Sequence, residues 1–167
     1  GAARGLALAL AVTAAPLALA GLASVCARRL SGVTLGIRDL STRFAFAFVP
    51  LGFSLWGARL LFHFATAWTS LLPAAERLAG NLGLPAGPVT GPSALPSGAA
   101  PERLLGLEIL LLDLGLLLSL HTAWRISRHL APGRRGLALA APFAVLAVLG
   151  WAAGVWILME PMQMRGM

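Results

Sequence analysis

Lysine and tyrosine are absent from this 167-residue chain, cysteine occurs once, and acidic residues number only six. A lone cysteine, Cys26, excludes an internal disulfide and an iron–sulfur cluster held by this chain alone, since such clusters take four thiolates. At the end of an apolar run it is expected to act as a small buried hydrophobe. The scarcity of charge says more. Charged residues make up 11% of the chain and apolar residues 58%, and a soluble core cannot use so much apolar surface. The formal charge of +7 comes from 13 basic residues, all of them arginine. They sit in short segments beside apolar runs, where arginine fixes membrane topology, so nucleic acid is not an expected partner.

What is present is a series of long apolar runs without period-two alternation, which predicts an all-α integral membrane protein, a four-helix bundle forming one transmembrane domain over residues 1–167. The spans are expected at about 6–27, 44–72, 104–124 and 137–159. Pro16 lies inside the first and is expected to kink it; Pro50 lies in the first third of the second. The first run follows Arg4 as a signal peptide would, but it is too long and is followed by Arg28 and Arg29, so it reads as a span. A chain opening on Gly1 is expected to be a processed or partial product.

Residues 79–103 are rich in proline and glycine and are expected to form a loop, either a plain linker or a segment docked on a partner. Arg28, Arg29, Arg38 and Arg43 follow the first span, and Arg125, Arg128, Arg134 and Arg135 follow the third. That bias predicts both of these loops on the cytoplasmic side and both termini on the periplasmic side of a bacterial inner membrane.

Ionisable groups at membrane depth are costly and therefore informative. Five are expected to form an intramembrane polar seam: Arg59, His63, Glu108, Asp113 and His121. On the second span, Gly52, Trp56, Arg59, His63 and Ser70 share one helical face, which must look toward the bundle or a partner. On the third, Glu108, Gly115, Ser119 and Thr122 share one face while Asp113, His121 and Trp124 lie toward another. A helix polar on two sides wants neighbours on both. Gly52, Trp56, Gly115 and Ser119 are expected to pack helices, Gly115 and Ser119 by allowing close approach.

Counting ~1.5 Å per residue from the periplasmic ends puts His63 ~12 Å deep, Asp113 ~14 Å, Arg59 ~18 Å and His121 ~26 Å. Asp113 is therefore expected to pair with His63 or Arg59, and a proton relay or quinone site on Glu108, Asp113 and His63 is the alternative. A haem bridged by His63 and His121 is disfavoured, although either histidine can serve with a ligand from another subunit. His129, in a basic loop, is expected to be solvated. The tail carries Met159, Met162, Met164 and Met167, soft thioethers suited to Cu(I) or, more simply, to lipid or partner contact. No phosphate-binding loop, catalytic triad, zinc helix or dinucleotide fingerprint is present, so no catalytic residue is expected.

Three stretches, residues 48–64 (FVPLGFSLWGARLLFHF), 107–120 (LEILLLDLGLLLSL) and 153–166 (AGVWILMEPMQMRG), resemble the membrane portion of bacterial polyferredoxin-like, four-iron–four-sulfur binding membrane proteins. The match lies in Pro50-Leu51-Gly52, Trp56, Phe62-His63-Phe64, Asp113 and Pro161-Met162. The cysteine clusters of that group are missing, and Arg59 stands where its pattern favours histidine. The resemblance implies a non-catalytic membrane anchor or accessory subunit of a bacterial electron-transfer complex, with lipid and other membrane subunits as partners. The alternatives are a small transporter or copper-handling protein, and a haem- or quinone-site subunit.

Overall fold

Leucine and alanine favour helix, and apolar helices satisfy their own backbone polar groups wherever water is excluded. In a computed structural model, which describes residues 2–82 and 101–159, every regular element is helical. Helix α1 spans Ala2–Ser31 and is continuous through Pro16. Arg28 and Arg29 occupy its last turn, where cations complement the helix dipole. Gly32 then takes φ +67°, a conformation that carries no penalty for glycine, and turns the chain. Helix α2, Ile37–Ala45, is short and two-faced: Leu40 and Phe44, four residues apart, are fully buried, whereas Arg38, Asp39, Thr42 and Arg43 are exposed.

A 3-10 turn, Phe46–Phe48, joins α2 to α3, Val49–Asn81. Helix α4, Pro101–Leu130, turns through Gly133 (φ +63°) into α5, Arg134–Met159. The span expected at 44–72 is thus divided among α2, the 3-10 turn and α3, and α3 runs past it to Asn81. The loop expected at 79–103 loses Ala79–Asn81 to α3 and everything from Pro101 to α4; proline at a first helical position is pre-organised for the helix.

Among the described residues three stretches are long and apolar enough to cross a membrane: Ile37–Ala65, Leu104–Leu130 and Arg134–Met159. The span expected at 6–27 lies within α1. The distribution of side chains is the reverse of a soluble core. Buried positions are dominated by small residues, including Ala23, Ala27, Ala58, Ala123, Ala140, Ala147, Ser24, Ser54, Ser119 and Ser127. Large apolar side chains point outward on every long helix, among them Leu17 on α1, Phe53 on α3, Leu117 on α4 and Trp156 on α5. A water-soluble monomer does not expose such a surface, and helices in lipid pack through small residues because the lipid already solvates the large ones.

The helices pack in the order α3, α4, α5, α1, with α4 between α3 and α5 as the two-sided polarity of its sequence predicts. A cluster with large buried side chains lies where α2 folds back: Leu40, Phe44, Leu139 and Phe143 with Ala23, Ala27, Ala47 and Ala123. The rings of Phe44 and Phe143 stack at 4.0 Å, and Ser24 and Ser41 share a 2.7 Å hydroxyl hydrogen bond that ties α2 to α1. Cys26, expected to be buried, is exposed, because Ala23 and Ala27 occupy the face of α1 that meets the cluster.

Candidate functional site

The polar seam begins with a break in a helix. Pro50 cannot donate a backbone hydrogen bond, and the 3-10 turn before it leaves α3 to start afresh at Val49 without a side-chain cap. The first N–H groups of a helix have no partner within it. Ser119 of α4 supplies one: its hydroxyl accepts a 3.1 Å hydrogen bond from the Leu51 N–H at a fully buried position. A neighbouring helix thus does the work of an N-cap residue. One turn along α4, Gly115 makes this approach possible. A Cβ there would collide with the Ser54 side chain, at 2.6 Å from its Cβ, and lie 3.1 Å from the Pro50 carbonyl oxygen. Ser54 in turn donates to the Leu51 carbonyl at 2.8 Å. Gly115 and Ser119 thus both lie at the α3–α4 contact.

On the opposite side of α4, Asp113 is half-buried and its Oδ1 accepts a 2.8 Å hydrogen bond from Nε1 of Trp151 on α5. This replaces the expected pairing with His63 or Arg59. Gly57 of α3 packs against Leu111 of α4 and Ser54 against Gly115, so in this antiparallel pair Arg59 lies nearer the level of Glu108 than that of Asp113. The register differs from that expected of helices ending near Leu71 and Leu104, because α3 continues well beyond Leu72.

Glu108 is the most unusual group of the seam. It is 4% exposed, and its Oε1 has no hydrogen-bond partner among the described residues. Beside it lies a cavity of about 50 Å³ lined by Arg59, Phe62, Glu108, Ile157 and Leu158, where α3, α4 and α5 meet. That space can hold water, and it is far below the several hundred Å³ of an organic cofactor site.

The other expected residues lie apart from the Ser119–Leu51 contact. Gly52 and Trp56, expected to pack helices, face away from α4: nothing approaches the Gly52 Cβ position within 4 Å and Trp56 is 64% exposed. Arg59 and His63 are exposed; Arg59 also borders the Glu108 cavity, and the His63 ring lies 6.0 Å from that of Phe62. Leu51, Ser54 and Ala58 take the side of α3 that meets α4, which turns Gly52 and Trp56 outward. His121 is exposed and lies 5.8 Å from the Trp124 ring. From the α3–α4 register it is level with about Phe48, ~22 Å along the helix axes from His63. Met159 is exposed; Met162, Met164 and Met167, like the Ser70 side chain, lie outside the described residues. Two features had no advance signal: the acceptor role of Ser119 toward a particular backbone N–H, and Trp151 as partner of Asp113.

No protein-family model matches the chain, and neither a curated protein nor a solved structure is significantly similar to it.

Proposed function

We propose that the chain is a non-catalytic anchor or accessory subunit of a larger membrane complex, which it meets through the outward face of α3. The observation that carries this reading is Arg59, which borders the Glu108 cavity yet stays exposed within a stretch apolar enough to span a membrane. An arginine at membrane depth costs about 2.5 to 3.5 kcal/mol against lipid, and such residues face protein or water instead. Two turns before it, Gly52 leaves an open surface that a second helix can approach closely, and Trp56 between them offers a large amphipathic contact.

That the complex is a bacterial electron-transfer assembly of the inner membrane rests on the resemblance to polyferredoxin-like membrane proteins. With one cysteine in this chain, the partner supplies the redox centres. The arginine bias supports four crossings, α1 being the first, with both termini periplasmic. Purification of the tagged chain from native membranes in mild detergent tests the reading. Co-migration with iron–sulfur or other redox subunits is the expected result; a stable monomer without them contradicts it.

Glu108 favours a second reading, an intramembrane proton site. A buried carboxyl oxygen beside a water-sized cavity can take up and release a proton. Labelling by a hydrophobic carbodiimide, which reacts with protonated carboxyls, is then expected at Glu108 and absent from Glu108→Gln. No label on Glu108 at any pH removes it.

A further inference from the structure

The arginine-rich end of the molecule carries a feature the seam does not use. On the last turns of α4, His121, Trp124, Arg125, Arg128 and His129 recur at three- and four-residue spacing and share one face. Between their side chains lies an open cleft of about 400 Å³ with no carboxylate in its lining. Part of its wall is held in place: the Arg128 guanidinium carbon sits 4.9 Å from the centre of the Trp124 ring. A second cleft, of about 410 Å³, lies on the other flank of the same pair and adds Arg134 from the start of α5, again without an acid.

These cationic clefts open outward at the end of a stretch long and apolar enough to cross a membrane. Tryptophan at such a position sits at headgroup level. The abundant anion at that level is the lipid phosphodiester, whose paired oxygens match the paired N–H groups of guanidinium. A cleft built from one helix face and a few long side chains suits a headgroup better than a folded protein.

We infer that this face of α4 binds the phosphodiester headgroup of an anionic phospholipid, with the phosphate between Arg125 and Arg128 and the Trp124 ring alongside the glycerol. His129 adds a donor at the outer rim.

The test uses the full chain in neutral detergent, offered phosphatidylglycerol and phosphatidylcholine of identical acyl chains, with retained lipid counted by native mass spectrometry. The wild type retains phosphatidylglycerol in preference. Arg125→Gln with Arg128→Gln removes most of that preference, because the phosphate loses both guanidinium groups that hold it. Arg28→Gln with Arg29→Gln, which removes the same charge from the end of α1, leaves it unchanged. All four side chains are exposed, so both variants keep their helical circular dichroism. Equal loss in both double variants overturns the site in favour of diffuse attraction. No preference in the wild type, or displacement of the lipid by millimolar inorganic phosphate, overturns the assignment to lipid.

Discussion

The two faces of α3 share one helix and differ in almost everything else. The inner face presents Leu51, Ser54 and Ala58, all buried, and meets α4 through a glycine and a serine. The outer face presents Gly52, Phe53, Trp56, Arg59 and Leu60, all exposed, with a charge and a large aromatic among them. The small polar groups that neutralise a break in the backbone are turned inward, and the residues that are expensive to leave in lipid are turned outward. The inner face therefore builds the fold, and the outer face is the one proposed to meet a partner.

Substitutions that separate the faces follow in order of effect. Gly115→Leu forces a side chain into Ser54 and the Pro50 carbonyl and is expected to destabilise the isolated chain by about 3 kcal/mol, read by thermal unfolding in detergent. Ser119→Ala leaves the buried Leu51 N–H without its acceptor and is expected to cost about 2 kcal/mol. Faster hydrogen exchange at Leu51 would distinguish that loss from general loosening. Trp151→Phe removes the hydrogen bond to Asp113 on the other side of α4 and is expected to cost about 1 kcal/mol. Trp56→Ala, on the outer face, is expected to change the stability of the isolated chain by less than about 0.5 kcal/mol while weakening co-purification of the complex. A large effect of Trp56→Ala on the isolated chain would erase the distinction between the faces.

Much of this arrangement is legible in the residues, and the limits are physical. Helical spacing puts Gly52, Trp56, Arg59 and His63 on one side, and the four-residue step from Gly115 to Ser119 marks a packing edge, because both follow from 3.6 residues per turn. Spacing within one helix carries no information about register between helices. For that reason the sequence points Asp113 toward α3 when its partner is Trp151 on α5, and carries no sign that Arg59 lies near Glu108. Nor does hydropathy say which polar face turns inward: the α3 face richest in charge is the one facing out. The short helix α2 was hidden for another reason, since its two buried residues, Leu40 and Phe44, merge with the apolar run that follows.

The division of α3 is tested most directly by a photo-reactive side chain at its outer face in native membranes. With p-benzoylphenylalanine replacing Trp56, irradiation is expected to yield a protein adduct of discrete mass, whereas the same probe at Val145, exposed on α5, yields lipid adducts. Lipid adducts alone at position 56 would contradict the account, because they would show that the outer face of α3 meets lipid rather than protein.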